Sequence, residues 1–178
     1  MPALDWSPAL ALQQPQMDAT HEEFVALLAA CETALGADDA TLLAHWNTLV
    51  EHTVEHFGQE DRWMAATGFA PENCHAFQHQ AVLNVMQECG KRAALAEGAD
   101  FEPLRVAVAE LATWFPQHAQ MMDAALAQHM AAVGFDPATG RLAQPLGEAA
   151  AITGCGGGSC SPAQADAAAT APADTATA

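Results

Sequence analysis

Apolar residues recur at three- and four-residue steps over most of the first 135 positions, and nowhere does strand-like alternation persist. The pattern predicts four helices separated by Gly and Pro. The first spans about Asp18 to Leu35, with Phe24, Leu28, Cys31 and Leu35 in phase, and Gly36 ends it. The second runs from about Asp39 to Ala66 on Leu42, Trp46, Leu49, Thr53, His56, Glu60 and Trp63. Pro71 opens the third as a first-turn residue; His75, His79, Leu83 and Met86 follow along one face to about Glu97, with Gly90 weakening the far end. The fourth extends from Phe101 to Val133 through Leu104, Val108, Leu111, Phe115, His118, Met122 and Leu126, and Gly134 stops it. Four helices with short connections favour an all-α, up-down-up-down four-helix bundle.

The pattern fails from Asp136 onward. Ala, Gly, Thr and Pro dominate there, with too little apolar surface to offset the entropy of ordering. Residues 1–135 are therefore expected to form the bundle and residues 136–178 a flexible, disordered tail. Twenty-two acids against five bases give a formal charge of −17, which argues against nucleic acid and anionic membranes as partners. The N-terminal stretch has no signal-peptide pattern, no stretch reads as a transmembrane span, and five scattered cysteines fit a reducing cytoplasm.

What changes the picture is the company the apolar stripes keep. His56 and Glu60 are four residues apart, as are His75 and His79; at about 100° per residue each pair sits on one face, one turn apart. Both pairs lie in phase with the apolar positions and so point into the bundle, where an unpaired imidazole or carboxylate costs several kcal/mol. Burial demands a partner, and imidazole with carboxylate suits iron, zinc or manganese. His21 on the first helix, and His118 with Asp123 on the fourth, add donors from the remaining helices. Five histidines and two carboxylates are too many for one ion and right for two. His118 and Asp123, five residues apart, would stand about 140° apart on an ideal helix; Pro116 just upstream suggests a kink or π-bulge that turns both inward.

In these residues the chain resembles the bacterial hemerythrin family over about positions 4 to 133. The motifs are Trp6, Met17-Asp18 followed by His21, His56-Phe57 with Glu60, the pair His75 and His79, and Trp114 ahead of His118 and Asp123. The resemblance implies two iron ions bridged by an oxo or hydroxo group. It implies His75, His79 and His118 on one iron, His21 and His56 on the other, and Glu60 and Asp123 bridging. The two-histidine iron would then bind dioxygen reversibly, for transport, storage or sensing rather than as an enzyme. Gln13, Thr20 and Asp61 depart from the family's usual residues.

Reversibility calls for an apolar pocket, for which Phe24, Leu28, Phe57, Leu111, Trp114 and Phe115 are the candidates, each also explicable as core. Two other readings stand beside this one. The first is an enzyme of the same fold, a di-iron oxidase or peroxidase or a nitric-oxide and iron-sulfur repair protein. The second is a structural zinc or iron-storage bundle. His45, His52 and His129 match no ligand position and read as surface or supporting groups, with burial at the bundle end the favoured role for His52 and a channel the alternative. Cys31, Cys74 and Cys89 read as small core residues. Cys155 and Cys160 in the tail read as incidental thiols, with a small disulfide, transient binding of a soft metal or iron delivery as the alternatives.

Overall fold

The computed structural model describes residues 2–69, 74–95 and 98–144. Helix α1 (Pro15–Ala34) begins with Pro15 in its first turn, where a missing N–H costs nothing, and the Gln14 side chain accepts the Met17 amide as a cap. The chain enters through Gln13 at φ 59, the one non-glycine residue in the left-handed region among the described residues. That is why glycine suits this turn. Helix α2 (Asp39–Thr67) is capped by Asp38, whose carboxylate accepts the Thr41 amide at 3.0 Å, and is stopped by Gly68 at φ 69. Helix α3 spans Cys74–Ala93 and α4 Glu102–His118. Gly90 does not end α3: a Cβ there would meet the Trp46 ring at 3.3 Å, so the missing side chain admits Trp46, whose indole N–H donates to the Met86 carbonyl at 3.1 Å.

Beyond α4 the expected irregularity is present. Ala119–Asp123 forms a π turn closed by a bond from the Ala124 amide to the Ala119 carbonyl, and α5 (Ala124–Ala132) resumes the ordinary winding. Pro116 inside α4 has no amide to donate, which loosens the ladder just upstream. The wider π turn brings residues five apart back to one face. His118 and Asp123 are consequently both buried.

Helix α1 packs on α2, α2 on α3, α3 on α4, and α4 closes back on α1, while α5 rests on α2. The result is an up-down-up-down bundle. Its core has three layers. At one end Phe24, Leu28, Trp46, Leu49, Leu104 and Phe115 belong to one apolar cluster; at the other Met17, Trp63, Leu126 and Met130 belong to a second. His21, His56, Glu60, His118 and Asp123 fall between these positions on their helices and are buried, so a polar layer divides the core.

Past α5 the chain folds back instead of leaving the bundle. Two-residue strands β1 (Phe135–Asp136) and β2 (Arg141–Leu142) pair antiparallel, Phe135 is buried, and Leu142 packs on the second cluster. This hairpin carries ordered chain past position 136, where composition alone suggested a break. Cys155, Cys160 and the rest of the expected tail from 145 onward lie outside the described residues, as do 70–73 and 96–97. Cys31 and Cys89 are buried free thiols, as expected, with burial pushing the Cys31 thiol up to about 12. Cys74 differs: it is half-buried and disulfide-bonded. No helix among the described residues is long and apolar enough to cross a membrane.

Candidate metal centre

The seven residues singled out by their spacing converge in the polar layer, and each is at most 4% exposed. Glu60, His75, His79, His118 and Asp123 bring one ligand atom each within 4.8 Å of one another, and His21, His56 and Glu60 do likewise. The carboxylates divide their oxygens between these groups. Glu60 Oε1 lies 3.1 Å from His56 Nε2 and 3.9 Å from His21 Nε2, while Oε2 lies 3.2 Å from His75 Nε2 and 3.3 Å from His79 Nε2. Asp123 turns Oδ2 to His21 Nε2 at 3.2 Å, and Oδ1 to His75 and His118 at 2.9 and 3.1 Å.

Those distances are short, yet His21 Nε2, His75 Nε2, Glu60 Oε2 and both Asp123 oxygens have no hydrogen-bond partner, because the bond angles are wrong. Buried lone pairs that crowd together without aiming at one another suit a common cation. The Nε2 atoms of His79 and His118 stand 3.2 Å apart, within hydrogen-bond distance of one another and close enough to turn to one ion together. The donor set therefore fits a pair of metal ions.

Without an ion the cluster attracts protons. Burial alone would push the His21 and His75 imidazoles down, but the carboxylates of Asp123 and Glu60 outweigh it and lift both to about 9. Burial would raise the Glu60 and Asp123 carboxyls; histidines hold both well below the usual range, His56 foremost at Glu60 and His118 at Asp123. His118 itself is pushed down by burial.

Two residues that spacing did not flag orient the ligands. Asp61 Oδ1 stands 3.2 Å from His79 Nδ1, and Gln78 Oε1 stands 3.0 Å from His118 Nδ1. Each fixes a ring so that Nε2 faces the centre. Asp61 looked only like a departure from the family pattern; its position one residue after Glu60 was the available signal. We expect Asp61→Asn to weaken metal affinity about tenfold with little loss of fold stability, since Asp61 is half exposed and only its contact with His79 matters. Metal titration beside a thermal melt checks this, and unchanged affinity would remove the role.

The remaining histidines separate. His45 is exposed. His129 is not a surface group: it is 6% exposed, its Nε2 donates to the Thr67 carbonyl at 2.9 Å, and its ring meets Phe69 edge-on. It ties α5 to the end of α2. His129→Ala should therefore cost about 1–3 kcal/mol of stability, by stranding a buried carbonyl, while metal affinity stays put. Chemical denaturation and metal titration separate the two effects. His52 is half-buried, with Nε2 3.2 Å from the Thr20 carbonyl, at the edge of a cavity that reaches His56 and Glu60.

The aromatic residues also sort by side. Phe115 meets His21 edge-on at 5.1 Å and stacks on Phe24 at 4.5 Å. Phe57 stacks on His79 at 3.9 Å and also lies 5.3 Å from His56, so it stands between the two groups, while Trp114 stacks on His118 at 4.4 Å on the three-histidine side. Leu28 belongs to the apolar cluster and Leu111 lines a groove between α3 and α4. Of the residues expected around an apolar pocket, Phe57 and Phe115 meet rings of the two-histidine side directly and Phe24 backs Phe115, while the cavity that reaches His56 is lined mostly by polar side chains. Side-chain identity could not show this, because it depends on which helix pair each residue faces.

Against known proteins, the family model described as the Hemerythrin HHE cation binding domain matches residues 14–129. A curated relative, Bacteriohemerythrin of Ralstonia nicotianae (strain ATCC BAA-1114 / GMI1000), is 38% identical over 136 residues, which cover 76% of this chain and 95% of the relative. No solved structure matches. With a family model spanning α1 to α5 and a relative covered over nearly its whole length, the chain belongs to the hemerythrin family.

Proposed function

We propose that this chain binds dioxygen reversibly at a di-iron centre, as a carrier, store or sensing module, with His21, His56, Glu60, His75, His79, His118 and Asp123 as the ligands. The observation that carries the reading is the division of each buried carboxylate, one oxygen toward His21 or His56 and the other toward His75 with His79 or His118. A carboxylate so placed is suited to bridge two ions. Five neutral imidazoles with two negative charges match the donor preferences of ferrous iron. Family membership and the name of the Ralstonia relative support the same reading. The uneven share of histidines leaves the His21–His56 side one protein donor short, which suits a small exogenous ligand there. When bound, two adjacent ferrous ions supply two electrons that dioxygen can take up and return.

The chain's own part is to hold the ligands and to control water. Phe115, edge-on against His21 and backed by Phe24, keeps one flank of the two-histidine side apolar. The polar cavity at His56 favours a second reading, turnover of a small oxidant such as dioxygen or nitric oxide, because it gives protons a way in.

The test is to load the protein with iron, reduce it without air, admit air and then argon, and follow the visible spectrum. Two irons per chain and a band that comes and goes over several cycles are expected. A polar residue at Phe115 should hasten irreversible oxidation at unchanged iron content. Zinc, or one metal per chain, would remove the di-iron reading. Oxidation in a single turnover, or steady consumption of a reductant, would establish the enzyme instead.

A further inference from the structure

The seven converging side chains are almost wholly buried, so a metal ion needs a path to them. A hydrated divalent cation cannot shed its water into an apolar core; each water must be replaced by another donor as it leaves. Three cavities bear on this. The groove between α3 and α4, about 610 Å³, carries Glu102 and Glu110 on an otherwise largely apolar wall, and none of the seven converging side chains lines it. A second, of about 270 Å³, reaches His118 past Gln78, Gln117, Met121 and Trp114 and carries no charged group.

The third lies between α1 and α2. It has a volume of about 260 Å³, and its inner wall includes His56 and Glu60, which are 4% and 1% exposed. Both keep a polar atom without a hydrogen-bond partner, Nδ1 of His56 and Oε2 of Glu60. The outer wall includes Glu23, His52, Glu55 and Arg62. The Glu23 side chain is 71% exposed, and its Oε2 lies 3.7 Å from His52 Nδ1. The His52 ring centre is 6.0 Å from that of His56, whose Nε2 is 3.1 Å from Glu60. Metal-ligating groups thus follow one another from solvent to the centre in steps shorter than the width of a hydrated ion.

We propose that the cavity between α1 and α2 is the port through which divalent metal ions enter and leave the centre, with Glu23 and His52 as transient ligands on the way to His56 and Glu60. The proposal rests on the metal-centre reading above. It assigns His52 a purpose that its hydrogen bond to the Thr20 carbonyl alone does not require. Arg62 is the one cation on the wall, and its guanidinium donates to Gln59 Oε1 at 3.0 Å. Its charge opposes cation entry, and this gives the test a sign.

The experiment mixes full-length metal-free protein with Co(II) without air and follows the visible absorption of the bound ion in stopped flow, then follows its release to excess EDTA. Glu23→Gln and His52→Gln should each slow uptake and release about three- to tenfold, and Arg62→Gln should speed both, all with unchanged final stoichiometry and affinity. Glu23 is exposed, so its variant folds even if the His52 variant does not. Rates indifferent to all three substitutions overturn the port while leaving the centre intact. A fall in affinity that matches the fall in uptake rate also overturns it, since the residues would then support the bound state. If Met121→Lys, in the cavity beside His118, slows uptake and the α1–α2 variants do not, entry is by that other route. Failure of the wild type to take up any Co(II) overturns the metal centre and the port together.

Discussion

Glu60→Ala and Asp123→Ala should each leave a chain unable to hold a metal pair, with stoichiometry falling to one ion or none. Each carboxylate touches histidines of both groups, Glu60 through His56 and His75, Asp123 through His21 and His118. Removing either takes away the link between the two positions as well as one negative charge. Both carboxylates are buried among histidines, so the metal-free fold should also lose on the order of 3–5 kcal/mol. Glu60→Gln sharpens the test, because it keeps the volume and the oxygen but not the charge. Metal analysis and magnetic coupling between the bound ions are the measurements. Two coupled ions in the alanine variants would show that these carboxylates do not bridge.

The second large effect is on pH dependence, where the metal-free protein should lose stability as pH rises from about 6.5 to about 9 while the metal-loaded protein holds its own. His21 and His75 are lifted to about 9 in the metal-free cluster, from an ordinary 6.5. A raised imidazole contributes stability that is complete below the unfolded value and is lost as pH climbs through the folded one. Each should give up to about 3 kcal/mol at pH 6, declining to nothing above pH 9. Glu60 and Asp123, held low, act on the acid side: their contribution is present above the ordinary carboxylate range and fails as pH falls below it. The metal-free bundle should accordingly be most stable between the carboxylate range and about pH 6.5. A bound cation needs those imidazoles deprotonated, so metal affinity should rise over pH 6.5 to 9. Thermal melts with and without metal at pH 6, 7.5 and 9 should show a widening gap. A gap that stays constant or narrows would mean that His21 and His75 hold no protons that the metal must displace.

The sequence by itself determined the helices, because apolar period, caps and Gly or Pro stops are local properties of the chain. It placed His56, Glu60, His75 and His79 inward, since those residues fall on the apolar stripes, but it did not place His129 there. It even implied a winding fault between His118 and Asp123, because five residues do not close an α-turn, and the π turn at Ala119–Asp123 is its resolution. Tertiary structure alone decided the rest. The two oxygens of Glu60 and of Asp123 are identical in sequence; only packing four helices around them sends one to each histidine group. Asp61 and Gln78 acquire their roles because α2 lies beside α3, and α3 beside α4, at the level of the centre. His129 and His52 look alike as unassigned histidines, yet one bonds the end of α2 from the core and the other faces a polar cavity, since the side of a helix that meets a neighbour is fixed only when the bundle closes. The hairpin at 135–142 escaped a reading by composition because two apolar residues seven positions apart form no period. Phe135 and Leu142 have value only against a cluster that includes Met17 and Trp63, which lie far away along the chain.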